Sequence, residues 1–119
     1  MARNCHKAVY HAVYLMELQT EYLYPEQTEF GIQGSIAPEQ VQRMLEQYPD
    51  TQAILLTSPT YDGVVSDIAA IAEIVHAHQI PLIVDEAHGA HLGFHPYFPE
   101  SALKLGADVV IQSFHKTLP

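Results

Sequence analysis

Tryptophan is absent from the chain, and cysteine occurs once, at Cys5. A single cysteine excludes an internal disulfide and fits a reducing compartment, so a cytoplasmic setting is expected. Basic residues are scarce: five Lys and Arg stand against fourteen Asp and Glu, for a net charge of −9. Non-specific nucleic-acid binding needs a basic surface, and this balance argues against it. An acidic surface favours cationic ligands over anionic ones. Long apolar runs are also missing. None approaches the roughly 20 residues of a membrane helix, so no membrane span is expected. The opening residues 1–7 carry no apolar signal-peptide core. Neither a Walker loop nor G-x-G-x-x-G occurs, which leaves nucleotide binding without local support. What is present is 48% hydrophobic content over 119 residues, enough for the core of one small domain and too much for a disordered chain.

Periodicity and turn signals divide the chain into alternating elements. Residues 8–19 place apolar side chains at helical spacing. Residues 21–24 read as a short strand closed by Pro25, and residues 27–36, with Gly31 and Gly34, read as loop. A second helix opens with Ala37 as cap, Pro38 in its first turn and Glu39 at its positive end, and runs to about Tyr48. Residues 53–57 form an apolar strand, followed by the turn-rich segment 58–63. Ser66 or Asp67 caps a helix that continues to about His78. Residues 80–84 give a second strand, residues 99–105 a short helix ended by Gly106, and residues 107–112 a third strand. Strand–helix–strand alternation with nearly continuous apolar strands predicts an α/β fold, a three-layer parallel-sheet core covered on both faces.

Ligands of open parallel sheets bind beyond the carboxyl ends of the strands. Those ends offer Thr57, Ser58 and Thr60, then Asp85 and His88, then Ser113, His115 and Lys116. Lys116 is the most informative of them. A buried ammonium is costly and burial lowers its pKa, so such a lysine either snorkels to solvent or is an amine prepared for carbonyl chemistry. Asp85 ends the preceding strand. An aspartate and a lysine on neighbouring strand ends suit pyridoxal phosphate (PLP): the lysine binds the cofactor, and the carboxylate keeps its ring nitrogen protonated. Ser113 and His115 beside the lysine are natural phosphate donors.

Asp85, His88, His91 and His95 also raise the possibility of a metal. The histidines follow an i, i+3, i+7 spacing that suits a helix face, but Gly89 and Gly93 break such a helix and no zincin pattern is present. No metal is expected. Cys5 reads as a small buried residue, and His76 and His78 as groups at a helix C-terminus.

Four segments carry a resemblance: Arg3-Asn4-Cys5-His6-Lys7, Thr57-Ser58-Pro59-Thr60-Tyr61-Asp62-Gly63, Val84-Asp85-Glu86-Ala87-His88-Gly89-Ala90-His91 and Ser113-Phe114-His115-Lys116-Thr117-Leu118-Pro119. Together, in this order and spacing, they resemble the Orn/Lys/Arg decarboxylase family, PLP enzymes with the fold of the aspartate aminotransferase group. The resemblance covers residues 1–119 and implies a fragment of the PLP-binding large domain, a partial PLP-dependent transferase-like fold. It implies that Lys116 binds the cofactor covalently, that Asp85 pairs with the pyridine nitrogen and that His6 stacks on the ring. Ser113 and His115 would touch the phosphate, His88 would lie near the ring substituents, and Thr60 would line the site. Ala8 departs from the serine usual in the family. The family's Gly/Ser/Thr-rich phosphate loop would lie upstream of His6, outside this chain, so a piece of a longer protein with weak or absent activity by itself is expected. The implied activity is decarboxylation of arginine, lysine or ornithine, a step of amino-acid and polyamine metabolism, in a homodimer or higher homo-oligomer. Another PLP reaction on the same fold (aminotransferase or aldolase type), a non-catalytic fragment and a metal-binding protein are the competing expectations.

Overall fold

Three short apolar segments pair in parallel in the computed structural model, which describes residues 1–118. Pro119, the end of the fourth segment quoted above, lies outside the described residues. The elements in chain order are α1 (Lys7–Leu15), α2 (Pro38–Gln47), β1 (Ile54–Thr57), α3 (Ile68–Ala77), β2 (Leu82–Asp85), β3 (Val109–Ile111) and the one-turn α4 (Phe114–Thr117). The sheet order is β1-β2-β3, with Thr57 opposite Asp85 and Asp85 opposite Ile111. No described helix is long and apolar enough to cross a membrane.

Alternation along the strands explains the layering. Ile54, Leu56, Leu82 and Val84 point to one face and are fully or almost fully buried. That face packs under α2 and α3, whose inward stripes are Val41 and Leu45, and Ile68, Ile71, Ala72 and Val75. The opposite face carries Leu55, Thr57, Ile83, Asp85, Val109 and Ile111. There Val109 and Ile111 remain 47% and 48% exposed. α1, none of whose residues is buried, borders that face across a trough of about 820 Å³ lined by Val9, Val13, Leu18, Leu55 and Ile83 among others. Among the described residues the helical layer is therefore complete on one side of the sheet only.

Several boundaries differ from the sequence-based expectation, each for a local reason. α1 stops at Leu15 instead of Gln19 because Glu17 adopts φ 54°. Leu18 N–H then donates to Val13 O (3.0 Å) and Glu17 N–H to Tyr14 O (3.3 Å), the paired bonds of a Schellman end. α3 closes in the same way, with Gln79 at φ 60° and Ile80 N–H reaching Val75 O (3.5 Å). Glycine, the usual signal for such an end, is absent at both positions, so the first stop was hidden in the sequence. The strand expected at residues 21–24 shrinks to one parallel bridge, Ala2 to Leu23. The helix expected at residues 99–105 is a hydrogen-bonded turn, still ended by Gly106 at φ 104°. Its backbone presses so closely on α3 that an added Cβ would lie 3.0 Å from Ala72 Cβ. Pro38 at the start of α2 and Asp67 capping α3, its Oδ1 accepting from Ala70 N–H (3.1 Å), match expectation.

Asp108 ties β2 to the approach of β3. Its N–H donates to Leu82 O (2.9 Å), while its Oδ2 accepts from Leu82 N–H (2.8 Å) and meets His76 Nε2 at 3.0 Å. The Leu82 N–H, and then His76, hold the Asp108 carboxyl below its ordinary value. A depressed carboxylate stabilises the fold above the unfolded value near 3.8, and that contribution is lost as pH falls through the folded value. Asp108→Asn is therefore expected to melt slightly below wild type at neutral pH, the exposed carboxylate being screened by solvent. The gap should narrow in melting curves taken as pH falls below the unfolded value near 3.8 toward the lower folded value, where the wild-type carboxylate itself protonates.

Candidate active site

Parallel register brings all three strand ends to one edge of the sheet, and alternation puts Thr57, Asp85 and Ile111 on its open face. The segments that follow these residues build the candidate site.

Asp85 is 9% exposed. Its Oδ1 accepts from Ala87 N–H (3.1 Å), a local turn bond and the only hydrogen bond of this carboxylate among the described residues. Acceptor capacity therefore remains for a further donor. Lys116 sits on α4, with Nζ 3.3 Å from His88 Nε2, and no described carboxylate forms an ion pair with it. The His88 ring packs edge-on against Tyr61, with centroids 5.4 Å apart. Burial lowers the pKa of His88, the Lys116 charge lowers it further, and Asp85 acts in the opposite sense. The imidazole is thus neutral at physiological pH, and its Nε2 can accept from the Lys116 ammonium. Both charges act on this one ring. The structure so brings Asp85, His88 and Lys116 into a single neighbourhood.

The remaining expected residues are placed less centrally. Cys5 is buried, with its thiol beside Thr57. Burial raises its pKa, the Thr57 hydroxyl and the chain's amino terminus oppose this, and Asp85 adds to the rise. Cys5 is therefore a protonated packing residue at neutral pH, a poor nucleophile. It anchors the start of the chain at the tip of β1, and His6 follows it. The His6 Nδ1 accepts from Ala8 N–H (3.2 Å) and caps α1, which assigns the ring proton to Nε2. Among the described residues His6 makes no hydrogen bond to Asp85, His88 or Lys116. Ser113 precedes α4 without using its hydroxyl as a cap, and its carbonyl accepts from Lys116 N–H (3.1 Å). His115 is exposed on the same turn. Thr60, 6% exposed, is a turn former: its Oγ1 accepts from Val64 N–H (3.1 Å) and its carbonyl from Gly63 N–H (3.0 Å). The Oγ1 atoms of Thr57 and Thr117 are buried without a described partner. His91 turns away to pack edge-on against Phe98, so it does not join His88.

Sequence reasoning named Ser58 only as a polar group at a strand end and gave Glu86 no role, yet both support this edge. Ser58 is buried, donates its N–H to Asp85 O (3.1 Å) and accepts from Ser66 N–H (3.1 Å). Glu86 is 1% exposed. The signal for Glu86 was available. If Asp85 faces the open side, period-2 alternation sends the next residue to the buried side with Leu82 and Val84. The apolar trough beside α1 lies toward the opposite ends of the strands and contains none of the expected site residues.

The donor set fits PLP. Asp85 could hold a protonated ring nitrogen, and among the described residues Lys116 offers an amine not locked to a carboxylate while Ser113 and His115 offer side chains without hydrogen-bond partners for a phosphate. The family model described as Orn/Lys/Arg decarboxylase, major domain, matches residues 1–119. The uncharacterized protein YaaO of Bacillus subtilis (strain 168) is 46% identical over 118 residues, covering 98% of this chain and 25% of that protein. The arginine decarboxylase of the same organism is 39% identical over 115 residues, covering 96% of this chain and 24% of its own length. The chain thus spans about a quarter of the length of these relatives. Among solved structures, the complex of SepCysS with the SepCysE N-terminal domain superposes with a TM-score of 0.77 at 20% identity, over 98% of this chain and 31% of that one. At that identity the likeness speaks for the fold, an α/β domain on a parallel sheet. On the full-length match of its residues, the chain belongs to the Orn/Lys/Arg decarboxylase family and corresponds to part of the major domain.

Proposed function

We propose that the protein carrying this chain is a PLP-dependent decarboxylase of a basic amino acid: arginine, lysine or ornithine. The observation that carries the reading is at the strand ends, where Lys116 Nζ meets His88 Nε2 at 3.3 Å, the buried Asp85 carboxylate ends the neighbouring strand, and no described carboxylate pairs with the amine. Bound PLP supplies an electron sink for the charge left at Cα when CO₂ departs. Asp85 holds a proton on the ring nitrogen, a fixed negative charge in a partly desolvated site opposite positive charge. Lys116 is the attachment point. A neutral His88 gives its amine a hydrogen-bond acceptor at 3.3 Å. His6 flanks the ring, Ser113 and His115 take the phosphate, and Thr60 shapes the loop on the β1 side. The net charge of −9 favours a cationic substrate. The full-length protein acts as a homodimer or higher homo-oligomer in a reducing, cytoplasmic compartment, and this chain alone has weak activity or none.

Full-length protein supplied with PLP and, in turn, arginine, lysine or ornithine should release CO₂ and the matching amine from one of them. Asp85→Asn should lower that rate about a hundredfold or more while leaving the fold intact. A keto-acid product in place of the amine would make the protein an aminotransferase. Absence of any Lys116 adduct would remove the cofactor reading altogether.

A further inference from the structure

Glu86 is a fully buried carboxylate with no basic side chain bonded to it among the described residues. Burying such a charge is costly, and a well-packed apolar residue often serves stability as well. What Glu86 contributes is geometry. Its Oε1 accepts from Ala102 N–H (2.7 Å), and its Oε2 accepts from Ser101 Oγ (3.0 Å) and from Gln112 Nε2 (2.6 Å). Its backbone N–H donates to Ile111 O (2.9 Å), extending the β2–β3 pairing by one step, and its carbonyl accepts from Gly89 N–H (2.8 Å). Residue 89 lies against the Glu86 stem so closely that an added Cβ would be 2.6 Å from Glu86 Cγ.

These bonds reach both members of the imidazole–amine pair. Gly89 closes the turn that contains His88. Gln112 ends β3, and Ser113, the next residue, begins the turn that presents Lys116. We propose that Glu86 is a positioning residue: through Gln112 it sets the turn carrying Lys116, and through Gly89 it sets His88 on the same frame, so that the two meet at 3.3 Å. The proposal rests on the functional reading above only for the chemistry of Lys116. The clamp itself stands on the contacts.

The test uses full-length protein with Gln112→Leu, which removes one donor at the surface and leaves the two inner bonds of Glu86 in place, so that folding is retained. Two quantities are read. One is the rate at which PLP with borohydride labels Lys116, against Lys7 and Lys104 as internal controls. The other is hydrogen exchange at the Lys116 amide, which needs no cofactor. Gln112→Leu should slow labelling of Lys116 roughly tenfold, speed its amide exchange by a similar factor and leave Lys7 and Lys104 unchanged. The double variant E86Q/Q112E exchanges donor for acceptor across the pair, while the amide oxygen introduced at position 86 still serves Ala102 N–H. It should recover both quantities, which a merely bulk stabilising role would not produce. Wild-type exchange and labelling in Gln112→Leu would overturn the proposal. So would a double variant as impaired as Glu86→Ala. If wild-type protein gives no Lys116 adduct, the cofactor reading fails, and exchange alone decides for or against the clamp.

Discussion

Full-length protein with Lys116→Ala is expected to lose the absorbance of covalently attached PLP and, with it, all measurable amine production. The other two lysines of the chain cannot substitute. Lys7 lies at the start of α1, and Lys104 is engaged with Glu100 at 2.9 Å on the far turn. The loss should be complete, because an attachment point has no partial replacement when the amine is removed. A second consequence needs no cofactor. The Lys116 charge is one cause of the lowered His88 pKa, and Asp85 pulls the other way. Removing the ammonium should therefore move His88 upward toward its ordinary value, with burial still holding it down. An NMR titration of His88 reads this shift directly. An unmoved His88, or a variant that keeps both the absorbance and the activity, would place the working amine elsewhere.

Gly89→Ala is expected to cost about 3 kcal/mol of folding stability, the upper part of the usual range for overpacking a tight core site. The methyl carbon would sit 2.6 Å from Glu86 Cγ, 2.7 Å from Pro59 Cδ and 3.0 Å from Leu92 Cδ1. None of these neighbours yields easily. Glu86 is held by three donors, and Pro59 is a buried ring. Gly31→Ala is a useful contrast, since an added Cβ there meets nothing within 4 Å and only the positive φ of 74° opposes it. Denaturant melts of the two variants should therefore separate, with Gly89→Ala the less stable. Equal midpoints would mean that the packing of Glu86 and Pro59 around residue 89 relaxes at little cost.

Much of this arrangement was legible in the residues. Asp67 as cap, Pro38 in a first turn, the polar groups after Thr57, Asp85 and Ile111, and the parallel order all follow from local pattern and strand-end logic. Asp85 and Lys116 stood out as candidates because a lysine and an aspartate at apolar strand ends are unusual in themselves. The end of α1 before Glu17 was harder, since a left-handed residue other than glycine carries no compositional mark, while the end of α3 near His78 was read. The division of labour at the strand edge was hidden for another reason. Thr60 reads as lining the site yet its hydroxyl accepts from Val64 N–H, and the alternation that turns Glu86 inward does not say which donors meet it. Both outcomes depend on which donors tertiary packing delivers, and Ala102 and Gln112 come from segments far along the chain.

Val109 and Ile111, half exposed on the last strand, have a practical consequence. Beside them the outer edge of β3 has no described strand to pair with. A polypeptide limited to these residues would display a greasy ribbon next to unspent main-chain donors and acceptors, the combination that drives proteins into inclusion bodies. Yield of dispersed material, before any turnover is measured, is thus the first property that added flanking sequence should improve.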